Sequence, residues 1–138
     1  MFKIMCYYNN ENYIEKLYNN FLDDFKNIKK LKNVEIYLLI SNDTIYGIFS
    51  YIPSNYSINI LLFKVNTYIQ DNYIEEFIEI IFTDIIYEFR HIYFDNNNIM
   101  PKDRIYDKLV NYNLINNFKK ENIKHYQYNY FNCFGCTF

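Results

Sequence analysis

Residues 34–86 constrain this chain more tightly than any other stretch. Three runs, "VEIYLLI" at 34–40, "TIYGIFSYI" at 44–52 and "YSINILLFKV" at 56–65, are rich in β-branched and aromatic residues. Such residues suit a pleated, half-buried surface. "SND" joins the first two as a hairpin turn, and Pro53-Ser54-Asn55 separates the second from the third. The period then changes: Ile74, Phe77, Ile78, Ile81, Phe82, Ile85 and Ile86 recur at steps of three and four, one wide helical face. The near-continuous apolar run at 56–65 predicts a strand in the middle of a sheet. The stripe that follows predicts the helix that covers it.

The flanks extend the pattern. "FKIMCYY" at 2–8 reads as an opening strand. Ile14, Leu17, Tyr18, Phe21, Phe25 and Ile28 share one face of a single helix, with Glu11 and Glu15 early and lysines late, as the helix dipole favours. "HIYF" at 91–94 is a short strand and "DNNNIMP" its exit. A helix over 102–109 and an alternating strand over 124–134 close the chain. The order strand, helix, three strands, helix, strand, helix, strand predicts an α+β or α/β layer with a mixed sheet. Without linker, repeat or composition break, residues 1–138 read as a single domain.

Aromatic residues make up 22% of the chain, with 17 Tyr, 13 Phe and no Trp. Tyr, Phe, Asn, Ile and Lys are residues of AT-rich codons, so one tyrosine more or less carries little functional weight. A net charge of −2 argues against a general grip on nucleic acid, and the one basic run, "KNIKKLK" at 26–32, suits a helix end. No apolar run approaches the roughly 20 residues of a membrane span, and "MFKIMCYYNNENY" lacks a signal peptide's apolar segment. A soluble cytoplasmic protein, with neither nucleic acid nor membrane as partner, is expected. Cys6, Cys133 and Cys136 are an odd number, which disfavours a disulfide framework. "CFGC" has the spacing of a zinc half-site or redox pair, but the further ligands it would need, among Cys6, His91 and His125, stand at no motif spacing, so no metal is expected.

The order and lengths resemble the GCN5-related N-acetyltransferase (GNAT) superfamily across nearly the whole chain. Three local matches carry the likeness. "NDTIYGIFSYI" is similar to the family's hairpin into its third strand, with Gly47 at the matching glycine. "ILLFKVNTYIQ" is similar to the fourth strand before the cofactor loop. "NNNIMPKDRIYDKLVNY" is similar to the segment in which an Asn precedes a helix ending Leu-Tyr-x-Lys-Leu-Gly-Phe, though Val110 and Asn111 stand where one Gly is expected. The resemblance implies a mostly antiparallel central sheet with helices on both faces. It implies acetyl-CoA as cofactor and direct transfer to an amine, on a small molecule or a protein. It further implies that the backbone of Phe63, Lys64 and Val65 holds the pantetheine arm and that Asn98, or a neighbour among Asn96 to Asn98, faces it. Gln70, Asn72 and Tyr73 would belong to the pyrophosphate loop, and Tyr106 would protonate the departing thiolate.

The chain departs from that pattern in two places. The loop "QDNYIEEF" has Gln70 in register, but Tyr73 and Glu75 occupy its two small-residue positions. Asn72 with Glu75 reads as a capping pair, and Asp71, Glu75 and Glu76 put negative charge where a pyrophosphate would sit. No Glu, Asp or His stands in "YSINILLFKV" as a general base; Glu35, Asp95 and His125 are the substitutes. Tyr106 is accordingly either a general acid or a half-buried aromatic at a helix edge. The alternative to an enzyme is a non-catalytic domain of the same fold, acting through a protein partner or as a homodimer by way of an aromatic patch.

Overall fold

A computed structural model of the chain describes residues 1–55, 57–85, 91–94, 98–111 and 125–127. In chain order the elements are β1 (Lys3–Cys6), α1 (Glu11–Ile14), β2 (Tyr18–Asn19), α2 (Leu22–Ile28), β3 (Glu35–Ser41), β4 (Thr44–Pro53) and β5 (Ser57–Val65). There follow α3 (Asp71–Ile80), β6 (His91–Phe94), β7 (Ile99–Met100), α4 (Lys102–Asn111) and β8 (His125–Gln127). Beyond its α-helical part α3 continues in a π-helical turn, Ile81–Ile85. The sheet runs β1-β3-β4-β5-β6-β8, with β2 on β4 and β7 on β5. Pairing is antiparallel except where β6 and β7 meet β5 and β2 meets β4. This is the expected mixed, mostly antiparallel α+β layer.

Alternation along the strands divides the apolar residues between two faces. Ile36, Leu38, Ile48 and Leu62 meet Ile14, Phe25 and Ile28 of α1 and α2. Leu39, Phe49, Phe63 and Val65 meet Ile74, Phe77, Ile78, Ile81 and Phe82 of α3. Under α3 the rings of Phe49, Phe63 and Phe77 stack edge to face at 5.1 and 5.9 Å. Such pairs add about 0.5–1.5 kcal/mol each beyond area burial. Gly47 is required where α3 crosses: a Cβ there would lie 3.1 Å from both Leu39 Cβ and Phe77 Cε2. The β3–β4 turn is tight, with Asn42 and Asp43 both at positive φ (49° and 59°), which is the geometry a two-residue hairpin demands.

The single helix expected over Ile14 to Ile28 is instead two, parted by β2. The pair Asn19-Asn20 explains the break. Asn19 Oδ1 accepts the Phe21 N–H at 2.7 Å, and Asn20 Nδ2 donates to Ile45 O at 2.9 Å. Local side-chain bonds of this kind outcompete helical ones, and the Tyr18 N–H is then free to reach Asp43 O at 3.1 Å. No helix among the described residues is long and apolar enough to cross a membrane.

Candidate functional site

At the C-terminal end of β5 the chain turns through residues 66–70 onto α3. Asn66 braces the start of the turn: it donates its N–H to Tyr46 O (2.8 Å), accepts from Ile69 N–H on its carbonyl (3.1 Å) and from Tyr68 N–H on Oδ1 (2.9 Å). Gln70, extended at φ −66° and ψ 150°, is the N-cap, with no side-chain cap bond. The helix therefore begins at Asp71, two residues ahead of the start that a capping Asn72 would give. Its first turn closes tightly, Tyr73 and Ile74 both donating to Gln70 O at 3.1 and 3.4 Å. The N–H groups of Gln70, Asp71 and Asn72 have no hydrogen-bond partner among the described residues. The first amides of an α-helix lack intrahelical partners, and such groups suit an anion.

The reason for the early start lies on α4. Arg104 donates from Nε to Asp71 Oδ1 (2.7 Å), from Nη1 to Thr67 O (2.9 Å) and from Nη2 to Ile69 O. One turn later Lys108 Nζ meets Glu75 Oε1 at 2.6 Å. Two of the three carboxylates that the sequence sets against an anion are thus paired by cations from α4. Asp71 is 57% exposed, so its pair contributes less than about 1 kcal/mol to stability; its effect is on local charge and loop shape. Tyr73 turns out of the loop, its ring 4.4 Å from Phe2, which stacks in turn on Tyr46 at 5.5 Å.

The outer edge of β5 is interrupted. β6 pairs with its first half up to Ile60↔Phe94, and β7 pairs again at Phe63↔Ile99 and Lys64↔Met100. Between these ladders Leu61 and Leu62 have no strand partner on that side among the described residues, which omit 95–97. The Phe63 side chain is buried under α3 and Val65 is buried beside it. Lys64 points to the other face and holds Asp24 of α2 at 3.0 Å. Asn98 is half-buried immediately before β7. On β4, Ser50 stands opposite Leu62, its Oγ fully buried and without a hydrogen-bond partner among the described residues.

The remaining candidates are scattered. Tyr106 lies on α4 two residues beyond Arg104, its side chain outside the described residues, as is all of Asp95. His125 opens β8, opposite Tyr93 on the outer part of the sheet. Glu35 opens β3, level with Tyr51 and Ile60, two strands or roughly 10 Å from the edge of β5. Near it burial pushes the Cys6 thiol and the Tyr37 and Tyr51 phenols above their ordinary ranges, with the Glu35 carboxylate adding to the shift. Those groups stay protonated at neutral pH. Among the described residues no three His, Cys, Asp or Glu gather as a metal site; Cys133 and Cys136 lie outside them. Arg104 escaped the sequence reading, although its spacing of four from Lys108 already put two cations on one helical face.

Neither a family model nor a curated protein sequence matches this chain. Solved structures do. A GNAT family acetyltransferase from Elizabethkingia anophelis with acetyl-CoA bound is similar at a TM-score of 0.52 and 15% identity, over 91% of this chain and 94% of that one. The Campylobacter jejuni N-acetyltransferase PseH in complex with acetyl coenzyme A is similar at 0.50 and 12%, over 93% and 97%. A structure from Exiguobacterium sp. 255-15 is similar at 0.54 and 11%, over 91% and 92%. At such identities the likeness is one of fold.

Proposed function

We propose that this chain, which has the fold of the GCN5-related N-acetyltransferases, is a cytoplasmic acyl-CoA-dependent N-acetyltransferase acting on an amine of a small molecule or a protein. The observation that carries the reading is the loop after β5, where three amides in series have no partner among the described residues and two flanking carboxylates are already paired. Two of the similar structures hold acetyl-CoA.

The residues present fit that cofactor at its phosphate end. The N–H groups of Gln70, Asp71 and Asn72 would receive the pyrophosphate, which needs several converging donors. Tyr73 packs on Phe2 and leaves the loop face clear. The backbone of Phe63, Lys64 and Val65, with Asn98 beside it, would hold the pantetheine arm. Bound acetyl-CoA supplies the acetyl group as an activated thioester. A backbone N–H of β5 between its pairings with β6 and β7 would meet the developing oxyanion. Tyr106 would return a proton to the thiolate. His125 or Asp95 would take one from the amine, and Glu35, roughly 10 Å off, would do so only through water.

One observation favours a second reading. β7 occupies the edge at Phe63 and Lys64 that the arm would use, so binding requires this two-residue ladder to open. A chain in which it never opens would be a non-catalytic domain that works through a protein partner or self-assembly. Calorimetric titration with acetyl-CoA and with coenzyme A separates the two. Micromolar affinity, with acetyl transfer to an amine lost in Tyr106→Phe, is expected of the enzyme; no heat up to millimolar ligand would leave only the second reading.

A further inference from the structure

In this family glycines let the loop backbone approach the phosphates, and this loop contains none: residues 66–75 read "NTYIQDNYIE". Something else must fix its shape. Arg104 accounts for it with three donors on three successive points, Thr67 O, Ile69 O and the Asp71 carboxylate. A planar guanidinium offers donors in a rigid fork, so it sets the relative direction of all three acceptors. Across a trans peptide the C=O and N–H point opposite ways. Holding Ile69 O toward Arg104 therefore turns the Gln70 N–H away from it, beside those of Asp71 and Asn72. The same contact pulls the Asp71 carboxylate toward α4 and offsets its charge.

We infer that Arg104 is the positioning residue of the cofactor site, shaping the 66–72 loop from α4 so that its amides take a pyrophosphate without glycine. The inference rests on the acyl-CoA reading above. Arg104 acts through the loop and need not touch the ligand. Asp71 is then a mixed element: it helps seat Arg104, yet it keeps a negative charge beside the anion. The two residues should change affinity in opposite directions, which a purely structural ion pair would not do.

The test is calorimetric titration of the full chain with coenzyme A for wild type, Arg104→Ala, Arg104→Lys and Asp71→Asn, with the unfolding temperature of each. Arg104→Ala is expected to weaken binding tenfold or more, and Arg104→Lys, which can satisfy only part of the fork, by less. Asp71→Asn is expected to tighten binding severalfold even though it loses the ion pair and does not gain stability. Arg104→Ala within twofold of wild type, or Asp71→Asn binding more weakly than wild type, would overturn the inference while leaving the acetyltransferase reading in place. If Arg104→Ala does not fold, the opposite signs of Arg104→Lys and Asp71→Asn decide it. A wild-type chain that binds no coenzyme A removes both readings together.

Discussion

The two edges of β5 are built differently. On its inner edge β5 pairs antiparallel with β4 from Pro53↔Ile58 to Gly47↔Val65, with one bulge and buried residues of both clusters on either face. On its outer edge the described residues pair with it in two short parallel ladders, at Ser57–Ile60 and at Phe63–Lys64. Parallel pairs are slightly weaker per residue, and short ones share little cooperative support. The inner edge is thus scaffold. The loop that continues from the outer edge is held by charged contacts from α4. A site that must admit a ligand belongs on the edge that costs less to open.

Breaking the inner edge should have the largest effect. Phe77→Ala removes the ring that joins α3 to Phe63 and Gly47 and should cost about 3–5 kcal/mol, read as a lower denaturant midpoint at unchanged slope. Gly47→Ala at the same crossing should cost roughly 1–3 kcal/mol, because a Cβ 3.1 Å from Leu39 Cβ and from the Phe77 ring forces a packed neighbour to shift. Amide exchange then sharpens the contrast itself. The β4–β5 amides should exchange only with global unfolding and those of the β5–β7 ladder through smaller openings, a difference that vanishes if β7 is as firmly held as β4.

The smallest effect should come from acid. Glu15 accepts from Lys29 Nζ at 2.7 Å and from the Tyr7 phenol at 2.6 Å, and these bonds hold its carboxyl below the ordinary glutamate range. The stabilisation is therefore complete above the unfolded value of about 4.3 and is lost as pH falls through the lower folded value. Glu15 is nearly half exposed, so screening limits the effect to less than about 1 kcal/mol. Glu15→Gln should flatten the stability profile below pH 5 and leave pH 7 almost unchanged. A large acid-dependent loss at Glu15 would mean that charge holds the scaffold half as well.

Most of the layer was legible in the residues. The apolar run of β5, the helical stripe of α3 and the turn-forming Asn42-Asp43 each act locally, and each appears where its period puts it. The break at β2 was not legible, because the Asn20 side chain and the Tyr18 N–H find their acceptors, Ile45 O and Asp43 O, on a strand and a turn 25 residues away. The site divides along the same line. Gln70 and Gly47 stand out as residue types at expected spacings, but their neighbours were misjudged. Tyr73 and Glu75 read as obstacles in the loop, whereas the chain folds one onto Phe2 and pairs the other with Lys108.

What the sequence by itself determined is therefore the alternation of strand and helix, the two-faced sheet and the absence of glycine from the loop after β5. These follow from period and steric bulk, which act between near neighbours. Only the tertiary structure decided where the carboxylates of that loop find their counter-charges, which way its amides face, and that β7 lies along the outer edge of β5. Those outcomes depend on contacts such as Arg104 with Thr67, 37 residues apart, and the direction of a hydrogen bond or ion pair is settled only when the partners are brought together.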